Sequence, residues 1–371
     1  MRRKVLFVTM ILLAAALLSG CAGGPVRGAT WPGLAADENA AYLADGPYVF
    51  AISLKDGKEL WRYPAETDGD FVFYSTPVVT PDGLVIVGSA GKNHSLIALD
   101  PNDVSTSNNN VNSPGLAWTF NEARDQWVAP PLVVDDKLFA VNADGFLYVL
   151  DLQDGQSTKK AVKVAHIDGR LWAQPTTDGG RVFITSLDHS VIAVDIETYE
   201  VLWHEDIGGA VTGSAVLGPD GMLYVGSLAS RLEKIDPASG RREPVLEAEN
   251  WIWSTPSLDG DTLYFGDLNG RLYSFNTTAG RLNWAPVQPD GPITASPLLR
   301  DEYILVATES GSLFALDRGG KVLWSQEVGG KIYTTPVAAG DLILVAPLET
   351  EFYLAALDQN GRQIWTFTQG N

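Results

Sequence analysis

From about residue 31 the chain runs in short apolar stretches broken every few residues by Gly, Asp, Asn or Pro. A stretch such as Met222-Leu223-Tyr224-Val225-Gly226 is too short for a helix and has the length of a strand. Asp144-Gly145 and Asn269-Gly270 separate pairs of such stretches. They predict tight hairpins, because Gly accepts the positive φ that these turns require. Beyond the N-terminus no segment carries a 3.6-residue apolar stripe, so the pattern predicts an all-β chain.

The strands recur in a fixed order. A slot held by Asp100, Asp151, Asp195, Asp236, Asn276, Asp317 and Asp358 returns at intervals that settle to 41, 40, 41 and 41 residues. Ser53 holds it in an eighth, N-terminal copy. Each copy opens on a small residue before Pro, as in Ser75-Thr76-Pro77 or Ser254-Thr255-Pro256. It then passes through a second strand, a tight turn and a third strand, and closes on a fourth, as in Gln363-Ile364-Trp365-Thr366-Phe367. Eight copies of four short strands predict an eight-bladed β-propeller of four-stranded antiparallel blades. The expected blades are 31–63, 75–120, 129–167, 173–206, 213–248, 254–285, 295–327 and 334–368. The Asn- and Ser-rich stretch from Asn102 to Pro114 reads as an exposed loop.

Trp closes six copies, at Trp61, Trp118, Trp203, Trp284, Trp324 and Trp365. Lys159 and Pro244 fall near the slot in the third and fifth, where weaker outer strands are expected. Ala-x-Asp, then Gly, then Trp resembles the repeat of the PQQ-type propellers. That group includes the quinoprotein alcohol dehydrogenases and the BamB family of envelope lipoproteins. The resemblance spans roughly residues 31–370. It implies an outer-membrane lipoprotein that helps assemble β-barrel proteins by docking on their insertase through connections near the middle blades. Arg170, five residues before Pro175, is of a matching type. The acidic pair implied on the next connection is replaced by Gly209-Ala210-Val211-Thr212. The dehydrogenases of the group carry an adjacent Cys pair, whereas this chain has one Cys in all. No PQQ cofactor and no enzymatic activity are therefore expected.

The N-terminus adds a location. Arg2, Arg3 and Lys4 precede an uncharged apolar run over 5–18. That run is shorter than the roughly 20 residues a membrane-spanning helix needs, and it reads as a secretory signal. Leu18-Ser19-Gly20-Cys21 resembles the bacterial lipobox, with Cys21 as the lipidated residue. The expected organisation is a signal peptide over 1–20, a tether over 21–30 and one propeller over 31–371. Ala22 rather than Asp follows the Cys, so no inner-membrane retention signal is read. The anchor implies the periplasmic face of the outer membrane in a host with two membranes, and the outer face of the cell membrane in a host with one. The signal holds three basic and no acidic residues, so without it the formal charge moves from −19 to −22. A charge of that sign excludes nucleic acid and electrostatic attraction to anionic lipid.

Motifs for chemistry are sparse. His94 and His189 each stand six residues before their Asp slot, in a tight turn, and His166 and His204 fall on outer strands. No His or Cys spacing suits a transition metal, no Gly-x-Ser-x-Gly elbow is present, and no phosphate-binding loop is present. The slot Asp residues read as turn acceptors for backbone N–H groups. A surface remains. The residue four before each Pro slot is apolar throughout: Phe73, Trp127, Leu171, Val211, Ile252, Ile293 and Ile332. The next residue varies and includes Tyr74, Trp172, Trp253 and Tyr333. Aromatics with Arg are the usual content of protein-binding hot spots. The candidate partner-binding rim is accordingly Tyr74, Trp127, Arg170, Trp172, Trp253 and Tyr333, on a monomeric propeller with a protein partner. The rival reading is a sensing propeller that takes a sugar or peptide in its channel.

Overall fold

The computed structural model describes residues 31–67, 69–157, 161–164 and 170–369. The signal, Cys21, the rest of the tether, Lys159 and His166 lie outside the described residues. The described chain forms eight four-stranded antiparallel sheets, each a meander of consecutive strands, arranged as the blades of a propeller. The blades span 33–63, 78–120, 132–163, 176–206, 216–247, 257–282, 298–327 and 337–367, within a few residues of the expected limits.

Burial follows position within the blade. Second strands such as Leu223–Ser227 and Thr262–Gly266 are buried at every residue, because neighbouring blades cover both faces. That explains their continuous apolar runs, which resemble those of sheets packed on both sides. Outer strands such as Val201–Asp206 alternate between exposed and half-buried residues. The core is a ring of eight clusters, one at each joint between adjacent blades. The cluster joining Leu43, Phe50 and Ile52 of blade 1 to Leu344, Leu354 and Phe367 of blade 8 closes the ring. Among the described residues no strand is shared between the first and last blades, each being built from contiguous chain.

The repeat's Trp and Gly are the two halves of a joint. The Trp365 indole of blade 8 donates to the Leu54 carbonyl of blade 1 at 3.0 Å. Its ring lies over Gly57, where an added Cβ would come within 2.7 Å. Gly57 also has a φ of 71°, which an L side chain rarely adopts. The same pairing joins Trp118 to Gly155, Trp203 to Gly240, Trp284 to Gly320 and Trp324 to Gly361. The indole N–H groups of Trp118, Trp203 and Trp284 likewise donate to backbone carbonyls of the following blade, at 2.9–3.1 Å. Asp in the same turn accepts the backbone N–H groups that its role as a turn acceptor requires. These bonds hold the carboxyls of Asp195, Asp236 and Asp358 below the usual carboxylate range.

Three joints depart from the pattern. Blade 3 has no closing Trp, and blade 4 puts Tyr199 where the Gly would stand, at φ 61°. The Tyr199 ring leans back on Phe139 of blade 3 at 6.2 Å and lies beneath the Lys137 ammonium at 5.6 Å, filling the gap from the other side. Blade 5 also lacks the Trp, and an added Cβ at Gly280 of blade 6 would meet nothing within 4 Å. Between blades 1 and 2, Trp61 packs with Tyr42 among Val85, Val87, Ile97 and Leu99, with no facing Gly.

Two sequence expectations need correction. The stretch from Asn102 to Pro114 is not a loop. The strands Leu96–Thr106 and Asn112–Phe120 continue as a ladder, pairing Val104 with Pro114 and Thr106 with Asn112. This hairpin reaches back over blade 1, where the Asn112 amide donates to the Leu60 carbonyl at 3.2 Å and Asn109 bonds Glu66. Its polar composition reflects exposure on both faces rather than lack of structure. The outer strand of blade 5 is also not weak: Arg242–Glu247 has six residues despite Pro244. In blade 3 the described outer strand is Val162–Lys163, two residues long, as expected for a blade without Trp. Blade 6 has Trp284 and still shows only Arg281–Leu282. The Trp therefore serves the joint, not the strand.

Candidate partner-binding rim

The rim is built by a second repeated device. In seven blades the second strand ends on, or is followed directly by, a buried polar residue: Asp45, Ser89, Asn142, Ser186, Ser227, Asp267 and Thr308. Its side chain commonly caps the following turn, as when Asn142 Oδ1 accepts from Asp144 N at 3.0 Å and Asp267 Oδ1 accepts from Asn269 N at 2.9 Å. Its carbonyl accepts the N–H of the apolar residue on the incoming connection. Trp127 donates to Ser89, Val211 to Ser186, Ile252 to Ser227 and Ile293 to Asp267, at 3.0–3.3 Å. The turn between the second and third strands and the connection to the next blade therefore share one end of the propeller.

The apolar slot is core at every position. Phe73, Trp127, Leu171, Val211, Ile252, Ile293 and Ile332 are all fully buried. Trp127 is thus removed from the candidate rim. Its ring packs against Phe120 and Tyr148, and its indole donates to the His94 carbonyl at 2.7 Å. With the slot residue pinned inward, the next residue stands out from the core. Tyr74, Trp172, Trp253 and Tyr333 are each half-buried, and Arg170 is exposed.

These residues fall into two groups. In the first, the Tyr74 hydroxyl donates to Gln126 Oε1 at 2.8 Å, linking the connections into blades 2 and 3. Burial holds the Tyr74 phenol above its ordinary value, Asp125 adds to that, and Arg170 opposes it. Tyr74, Asp125, Gln126 and Arg170 therefore form one electrostatic neighbourhood, and Trp172 follows two residues after Arg170 on the same connection. In the second group, Trp253 and Tyr333 are brought together by Trp31, which lies outside the rim positions that the repeat marks. The Trp31 ring stacks on Tyr333 at 5.1 Å with an interplanar angle of 8°. It meets Trp253 edge-on at 5.5 Å. Around them Lys331 Nζ donates to Glu349 Oε1 at 2.9 Å. Burial holds both the Tyr333 phenol and the Glu309 carboxyl above their ordinary ranges, and Lys331 opposes both shifts. Trp31 stands directly before Pro32 at the head of the first strand, with no preceding blade, so the repeat offered no slot to find it by.

The three described histidines take the places expected of them. His94 and His189 have φ of 44° and 76° in the tight turns, and His204 Nε2 lies 2.6 Å from Ser190 Oγ. Among the described residues no group of three or more His, Cys, Asp or Glu is arranged to hold a metal ion.

Eight four-stranded blades, closed by Trp-on-Gly joints and presenting one end of polar turns and half-buried aromatics, define an eight-bladed PQQ-type propeller. The family described as outer membrane protein assembly factor BamB matches residues 22–245, 157–319 and 290–371, and the chain belongs to that family. Among its relatives, the BamB of Escherichia coli is 25% identical over 334 residues, 85% of this chain and 82% of that protein. The BamB of Moranella endobia is 23% identical over 319 residues, 82% of this chain and 79% of that protein. The crystal structure of BamB from Moraxella catarrhalis superposes with a TM-score of 0.65 at 19% identity, covering 93% of this chain and 97% of that one. A computationally designed protein, Ika8, superposes at 0.69 with 11% identity, covering 92% and 98%. At that identity the likeness shows the fold alone.

Proposed function

We propose that this chain is a non-catalytic, lipid-anchored envelope scaffold that docks a protein partner during outer-membrane protein assembly. Membership of the BamB family across residues 22–371 is the observation that carries this reading. The geometry supplies a means. Tyr74, Arg170 and Trp172 stand on connections that the core and the turn hydrogen bonds hold rigid, so a partner meets a preformed surface. Residues 1–20 act as the signal, and lipid on Cys21 holds the scaffold at the envelope membrane.

The test is a cross-linking pull-down from envelopes. Arg170→Ala and Trp172→Ala are compared with Asp301→Ala, an exposed turn residue at the other end of blade 7. Truncating an interface anchor typically removes about 2 kcal/mol, or roughly 30-fold in affinity. The two rim variants should lose the partner with unchanged melting temperatures, and the control should keep it. Cys21→Ala serves as the anchor arm and should abolish partitioning into the detergent phase. Retention of the partner by both rim variants would move the docking site off this rim.

A further inference from the structure

We propose that Trp253 and Tyr333 are the seat of the chain's own Trp31, forming an intramolecular latch that pins residue 31 to this end of the propeller. They are therefore not part of the partner's footprint. This deepens the docking proposal, because it assigns the two halves of the rim to different tasks.

The two seat residues lie on the connections into blades 6 and 8, so they are not neighbours around the ring. The connection into blade 7 carries Thr294 at the corresponding position and leaves room between them. Trp31 spans that gap, face to face with one ring and edge-on to the other. Both are favoured arrangements for aromatic pairs. The backbone just beyond is held independently: Thr334 Oγ1 donates to the Pro32 carbonyl at 2.5 Å, and a Cβ on Gly33 would collide with the Ser75 carbonyl. Losing the Trp31 ring would therefore free residue 31 while leaving the first strand in place. Trp31 is still 40% exposed, so the latch rests on ring contacts rather than on deep burial. It is thus separable from folding. By contrast, the half of the rim around Tyr74, Arg170 and Trp172 has no described contact with Trp31 and stays open to a partner.

Arg27 supplies the assay, since a protease cleft grips several residues on each side of the bond it cuts and Trp31 is four residues beyond. The exported, mature chain is digested with trypsin, and cleavage after Arg27 is followed by mass spectrometry. Trp31→Ala, Trp253→Ala and Tyr333→Ala should each speed that cleavage, by about tenfold for loss of both aromatic pairs. Trp31→Phe should restore most of the protection, and melting temperatures should stay within a degree or two of the parent. The same variants are carried through the partner pull-down. Faster cleavage with the partner retained supports the latch. An unchanged cleavage rate in all three Ala variants overturns it, as does loss of the partner from Trp253→Ala with cleavage unchanged. Because cleavage is read without any partner, failure of the docking proposal leaves this result standing.

Discussion

The joint between blades 8 and 1 and the joint between blades 5 and 6 start from the same repeat and are held in different ways. At the first, Trp365 covers Gly57 and donates to the Leu54 carbonyl. At the second, Gly280 keeps its place in the turn, but no ring arrives to cover it. Polar ties stand there instead, near the other end of the blades. The Tyr273 hydroxyl donates to Asp267 Oδ2 at 2.8 Å and accepts from Glu249 N at 3.0 Å, on the connection from blade 5. Arg271 pairs with Glu249 at 2.7 Å. Where the Trp is absent between blades 5 and 6, hydrogen bonds and an ion pair supplement the apolar cluster that the two blades share.

The largest expected effect comes from removing the apolar lock that closes the ring. Trp365→Ala opens a cavity at the edge of the cluster joining blades 8 and 1 and leaves the Leu54 carbonyl without its donor. A fully buried Trp costs about 3–5 kcal/mol on truncation, and this half-buried one should cost about 2–4. The denaturant midpoint measures it. A loss below about 1 kcal/mol, the level of an ordinary surface change, would mean that the lock does not reside in this ring.

The second prediction breaks the comparison at its glycines. Gly57→Ala and Gly280→Ala both place a side chain at positive φ, 71° and 63°, at a shared cost of about 1 kcal/mol. Only at Gly57 does the new methyl meet an indole, so that variant should lose about 1–2 kcal/mol more. Equal midpoints for the two variants would show that the Trp moves aside freely.

Much of this contrast was legible in the sequence, and the part that was not has physical reasons. The 41-residue period and the Asp-to-Trp spacing located all eight blades, because strand patterns and tight turns are local signals. The two Trp-less copies are visible too, and the weak outer strand they predict is found in blade 3 but not in blade 5. A single blade's sequence cannot show that its Trp packs on the next blade, so the altered joints are not legible there. The hairpin over 102–114 reads as a loop in sequence because it is wet on both faces and so lacks an apolar alternation. Trp127 resembles a rim residue in sequence because aromatic character alone does not distinguish a residue pinned inward from the one beside it. The buried Ser, Asn and Asp at or just after the ends of the second strands were in plain view, and their recurrence after each apolar run was the signal to use.

The smallest effect sharpens the comparison through pH. The joint between blades 5 and 6 includes a phenol that donates to a buried carboxylate and must keep its proton to do so, whereas the lock at the joint between blades 8 and 1 is an indole that does not titrate. Burial, with the Asp267 charge and hydrogen bond, pushes Tyr273 up to about 12. In the unfolded chain the phenol titrates near 10. A group raised on folding contributes stability that is fully present below its unfolded pKa and is lost as pH rises toward its folded one. The window therefore runs from about pH 10 to 12. At pH 11 the loss from this one residue is about 1 kcal/mol, from roughly a tenfold difference in deprotonation between the two states. Tyr42, Tyr148 and Tyr224 are also raised by burial and by hydrogen bonds to Asp37, Asp144 and Asp220, so the parent chain should weaken by more than this. The informative quantity is therefore a difference. Tyr273→Phe keeps the ring and removes the titration, so between pH 9 and pH 11 its midpoint should fall by about 1 kcal/mol less than that of the parent. Trp365→Ala should show the parent's full alkaline loss on top of its own deficit. If Tyr273→Phe tracks the parent across that interval, the phenol is not a tie at this joint, and blades 5 and 6 are held by their shared apolar cluster alone.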